Sequence, residues 1–87
     1  MDWRQRLADY GRAKAEYDRA ERLLAESLAR YDTARRGRDR PLDPLVMGVG
    51  LARRRAVRES RRLDEATYRL THGRPLDEVL WSLPDEI

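Results

Sequence analysis

Trp3, Tyr10, Tyr17, Leu24 and Tyr31 follow one another at intervals of seven residues, with Ala13, Ala20, Ser27 and Ala34 at the complementary spacing. A seven-residue repeat sustained this far admits few folds, because an α-helix returns a side chain to nearly the same face at that interval and a strand does not. Bulky residues at one seam position and small ones at the other let a partner helix come close, with the large side chains filling the space beside the alanines. The stretch is a packing surface. Glu16, Asp18, Glu21 and Glu26 alternate with Arg12, Arg19, Arg22 and Arg30 on the outward faces, a solvated pattern that supports the helix. Asp2 followed by Gln5 approximates a capping box, so the expected helix spans residues 2–36 and is roughly 50 Å long.

Gly37 suits the left-handed position after a helix, and Pro41 disfavours helical geometry at Arg40, so residues 37–43 form a basic turn. Asp43-Pro44 reads as an N-cap with proline at the first helical position, and a second helix is expected over 44–72, closed by Gly73. Its inward face carries Leu45, Val49, Ala52, Ala56, Leu63, Ala66 and Leu70. The run from Leu45 to Leu51 holds Gly48 and Gly50 and leaves two readings open: a helix kept small for close approach in an oligomer, or a loop folded over the hairpin. Arg74-Pro75-Leu76-Asp77 repeats Arg40-Pro41-Leu42-Asp43, and each copy reads as a helix entrance. A third, short helix is expected over 76–83, with Leu76, Val79, Leu80 and Leu83 on one face, folding across the open end of the hairpin. An acidic tail follows over 84–87. The fold class is all-α: a single domain built on a long antiparallel, coiled-coil-like helical hairpin plus a short C-terminal helix.

A chain of 87 residues buries only a modest share of its surface, so the core is thin. The absence of Cys excludes disulfides, thiolate metal sites and thiol nucleophiles. No apolar run approaches a membrane span and the amino end lacks a signal peptide's order, which gives a soluble, intracellular, cytoplasmic protein as the expectation. The net charge of +3 divides into a neutral segment over 1–34, a +7 segment over 35–62 and a −4 segment over 63–87. Folded as a hairpin, the molecule is positive at its turn and negative at its open end. Lys14 is the one lysine among 19 basic residues, an excess of Arg that fits either the codon bias of a GC-rich genome or recognition of phosphate and carboxylate.

No catalytic signature emerges. His72 stands alone beside a helix end, where the dipole favours histidine, and the adjacent pairs Asp64-Glu65 and Asp77-Glu78 point in different directions on a helix. Gly48-Val49-Gly50 lacks the strand and third glycine of a phosphate loop. The expectation is a non-enzyme with no cofactor, metal or small-molecule substrate. Two surfaces carry the functional argument. The seam pairs Trp3, Tyr10, Tyr17, Leu24 and Tyr31 with Val49, Ala56, Leu63 and Leu70, while Met47, Leu51, Val57, Trp81 and Leu23 are apolar yet lie outside it and call for a cover. Arg36, Arg38, Arg40, Arg54, Arg55, Arg58, Arg61 and Arg62 are candidates for phosphate contact.

In the arrangement of its helices the hairpin resembles oligomerisation domains such as those of viral small terminase subunits, which assemble rings around DNA-packaging machinery. The resemblance is architectural and carries over no residues. It implies a bacterial or phage nucleic-acid-binding assembly factor that uses the Arg-rich end. The residues themselves point first to an oligomerisation protein that assembles with itself or a protein partner, and alternatively to a small inhibitor or adaptor. A nucleic-acid ligand for the arginines stays open beside both.

Overall fold

The computed structural model describes residues 2–37 and 42–83. Their regular structure is helical throughout: α1 (Trp3–Gly37), α2 (Asp43–Thr71) and α3 (Leu76–Ser82). The long helices pack antiparallel, with Arg6 meeting His72 at one end and Glu16 facing Arg55 nearer the middle. Each begins and ends within one residue of the bounds expected from the sequence. Local ion pairs one turn apart support both, including Lys14–Asp18 at 2.9 Å, Arg36–Asp32 at 3.1 Å and Arg69–Glu65 at 2.6 Å.

The helix ends differ from the sequence reading. Asp2 contributes its carbonyl to the Arg6 N–H, and Gln5 donates to the Asp9 carboxylate at 3.2 Å instead of reaching back, so no capping box forms. Asp43 is the first residue of α2, not its cap; Leu42 holds the cap position without a side-chain hydrogen bond. In the second copy of the four-residue match the helix already starts at Leu76, after an extended Pro75. The two copies are therefore not equivalent entrances. Gly37 is the last residue of α1. At the end of α2 two successive residues turn left-handed, His72 at φ 52° and Gly73 at φ 84°, and the His72 N–H closes on the Tyr68 carbonyl at 2.7 Å.

Residues 45–51 are continuous helix, which rejects the loop reading. A Cβ placed on Gly48 or Gly50 would meet nothing within 4 Å, so no close approach inside the monomer requires glycine there. Gly48→Ala and Gly50→Ala should each stabilise the fold by about 0.5–1 kcal/mol, the usual cost of glycine in a helix interior. Thermal melting of the two variants checks this. A fall in Tm would mean that another surface closes on these positions.

The core is a line of small residues. Its buried apolar members are Ala20, Ala56, Ala66, Leu70 and Val79, and among the described residues no large side chain is completely sealed. The rings of the α1 seam are only half-buried, because two helices cover one side of each ring and leave the other open. α3 packs on α2 through Val79 and makes no close approach to α1, so it does not cross the open end of the hairpin. Leu76 and Leu83 are half-buried beside it, whereas Leu80, assigned to the same face, is exposed. The molecule measures 56 × 19 × 18 Å, with a radius of gyration of 17.9 Å. A compact chain of this length would have about 12 Å. No helix among the described residues is long and apolar enough to cross a membrane.

Candidate protein-interaction surface

The hairpin has two unlike sides. Arg55, Glu59 and Arg62 recur at helical spacing along one edge of α2, where Arg55 Nη2 lies 4.0 Å from Glu16 Oε2 and Arg62 Nη1 donates to Glu59 Oε1 at 3.2 Å. This side is closed by charge. The opposite edges of α1 and α2 leave a groove of about 450 Å³, with Tyr17, Leu24, Ala56 and Val57 as its apolar lining and Arg53 and Arg61 along it. Glu21, one turn after Tyr17, also borders the groove, and its hydrogen bonding and charge push the Tyr17 phenol above its ordinary pKa.

Val57 is ringed on the outer surface of α2 by Arg53, Arg54, Arg58 and Arg61. None of these four guanidinium groups has a carboxylate within 4 Å among the described residues. The basic candidates thus separate into two sets. Arg54, Arg58 and Arg61 stand open together, while Arg36 is tied to Asp32, Arg55 faces Glu16 and Arg62 holds Glu59. Arg38 and Arg40 lie outside the described residues. Arg53 joins the open set because it is one turn before Val57, a placement that helical spacing alone could have supplied.

Of the seam residues, Trp3, Tyr10, Tyr17, Leu24, Tyr31, Val49 and Leu63 are half-buried and Ala56 and Leu70 are buried. The apolar residues outside the seam are exposed: Met47 at 69 %, Leu51 at 63 %, Trp81 at 89 %, and Val57 and Leu23 to a lesser degree. Val46, off the inward face like Met47 and Leu51, is exposed as well, as are Leu28, Tyr68 and Leu80, and sequence reading did not assign the last three to this group. Met47, Leu51, Arg54 and Arg58 share the face of α2 turned away from α1.

Two charged residues occupy seam positions that a reading of apolar letters passes over. Glu59 continues the register of Leu45, Ala52 and Ala66 and is only 7 % exposed. Arg6 precedes Ala13 and Ala20 by the same interval; its Nε is buried without a partner among the described residues, and its Nη1 lies 3.1 Å from His72 Nε2. A guanidinium can only donate, so in this contact His72 Nε2 is the acceptor. The one histidine of the chain is thereby engaged in joining the ends of α1 and α2.

What the surface offers chemically is apolar area bordered by guanidinium groups, a combination suited to binding. The chain matches no family model, and no curated protein or solved structure matches it.

Proposed function

We propose that this chain is a non-catalytic helical assembly module, joining itself or a protein partner through the helical faces its hairpin leaves open. One observation carries the reading. The accessible surface is 7034 Å² for a 10.3 kDa chain, whereas a compact monomer of that mass exposes about 5,400 Å². The excess is roughly 1,600 Å², of the order that one subunit contributes to a permanent protein–protein interface. Half-buried rings and the exposed Val46, Met47, Leu51 and Val57 supply apolar side chains to the open surface, as such interfaces require. Sedimentation at rising protein concentration should give a mass at least twice 10.3 kDa. A monomer at every concentration, without loss of solubility, would remove self-association from the proposal.

A second reading, nucleic-acid binding, is favoured by the four open arginines around Val57. Phosphate contacts would make affinity fall steeply with salt and tolerate changes of sequence. The groove beside those arginines is lined by Tyr17, Leu24 and Val57, and apolar lining of that kind suits a side chain better than a phosphodiester backbone. Protein is therefore the preferred partner.

A further inference from the structure

The four open arginines sit at the middle of α2, since Val57 is equally distant from Asp43 and Thr71. That position restricts how two copies can meet. A two-fold interface along this groove, with the copies antiparallel, would set the arginine cluster of one copy against that of the other, and like charges face to face oppose association. An occupant that brings carboxylates and a large apolar group from elsewhere in the molecule avoids this repulsion, with its carboxylates on the arginine edge of α2 and away from Glu21 on the α1 edge.

One segment of the chain has that chemistry. After Arg74 the sequence holds Asp77, Glu78, Asp85 and Glu86 and no basic residue. On α3, Val79 faces inward, so Asp77 and Trp81, one turn apart, share the outward face, with Glu78 and Leu80 on its flanks. Among the described residues Trp81 is the most exposed of the large apolar side chains, at 89 %. Tryptophan seated in an apolar pocket and rimmed by arginine is a favoured interface anchor, through buried area and through cation–π contact. The lengths agree. α3 has seven residues, about 10 Å, and the arginine-lined stretch from Arg53 to Arg61 is about 12 Å.

The chain cannot fill its own groove in this way. Arg61 lies about 15 Å and Val57 about 21 Å back along α2 from Thr71, while buried Val79 holds α3 against α2. We infer that α3 of one copy docks in the groove between α1 and α2 of the next, Trp81 on Tyr17, Leu24 and Val57, and Asp77 and Glu78 on Arg53 and Arg61. The inference rests on the assembly reading above and names its occupant and polarity. The contact is head-to-tail, so copies add in one direction and the assembly closes as a ring or continues as a filament.

Charge exchange tests it on the full chain. The first variant is Arg53→Glu with Arg61→Glu, which reverses the groove; the second is Asp77→Arg with Glu78→Arg, which reverses α3. All four side chains are exposed, and circular dichroism verifies that helix content is kept. Each variant alone should sediment at a lower mass than the wild type. An equimolar mixture should regain assembly, because the α3 of the first variant then meets the unaltered groove of the second. In a Trp3→Phe background, where Trp81 is the sole tryptophan, emission should shift to the blue as concentration rises, and the groove variant should lose that shift. A wild type that assembles while both variants keep its mass would overturn this docking and leave the assembly reading standing. A wild type that stays monomeric would overturn the docking together with self-assembly. Salt-sensitive binding of a duplex DNA probe, lost in the groove variant while the mass of the protein is unchanged, would also overturn it and assign the arginines to phosphate.

Discussion

Ala20→Leu should lower the stability of the hairpin by about 2–3 kcal/mol, near the top of the usual range for overpacking a closed site. Among the described residues Ala20 is the one side chain with no exposure at all, and it occupies the small-residue position of the α1 seam. Three added carbon atoms have no free volume to enter, so the helices must separate or the leucine must leave its preferred rotamers. In a chain of this size the loss corresponds to a fall in Tm of roughly 10–20 °C. Ala25→Leu, on the exposed face of the same helix, should change stability by less than about 0.5 kcal/mol and serves as the control. Equal melting of the two variants would show that the seam is not closed at Ala20. The ring positions should be more forgiving. Tyr17→Ala and Leu24→Ala would cost several kcal/mol in a sealed core, but both side chains border the open groove, so each should fall short of that figure.

Glu59→Leu should act in the opposite direction and stabilise the fold by about 1–3 kcal/mol. Glu59 is a carboxylate at a seam position, nearly covered, whose ion-pair partner Arg62 is 65 % exposed. Desolvating a carboxylate for one solvent-facing partner returns little, and well-packed apolar replacements of such groups are commonly neutral or favourable. Leucine restores the register of Leu45, Ala52 and Ala66 and fills about the same space. Chemical denaturation of the variant and of Arg62→Ala checks the sign. Arg62→Ala should destabilise, because it leaves the carboxylate without its partner. If Glu59→Leu destabilised as well, the carboxylate would be contributing more than its contact with Arg62 supplies.

The pairing of the long helices was legible because heptad spacing survives in both, through Trp3 to Tyr31 on α1 and Val49 to Leu70 on α2. Periodicity is a property of the whole element, so it identified both helices, while Asp2, Gly37, Asp43-Pro44 and Gly73 placed their ends to within a residue. Caps are local, and there the reading failed: Gln5 has a closer acceptor in Asp9, and α2 starts one residue before its expected first position. The seam charges Arg6 and Glu59 escaped because a search for apolar letters skips a charged residue that the register itself demands be inward. The division of the arginines was also out of reach. Whether Arg55 or Arg58 stays open depends on which edge of α2 meets Glu16, and that is decided by the rotation of one helix against the other. Exposure of Leu80 follows from α3 resting on α2 alone, which its own spacing does not encode.

The thin line of alanines has a calorimetric consequence. Unfolding raises heat capacity because buried apolar groups become hydrated, and a domain of this length ordinarily gains about 1.0–1.3 kcal/mol/K. Among the described residues the fully buried apolar ones are three alanines, one leucine and one valine, and the larger seam side chains are only half covered, so the isolated hairpin exposes less new hydrocarbon than usual when it opens. Its stability curve is correspondingly flat, changing slowly on cooling and on warming. Association through the open faces would add the missing apolar burial, deepening the curvature and making the temperature of unfolding depend on how much protein is present.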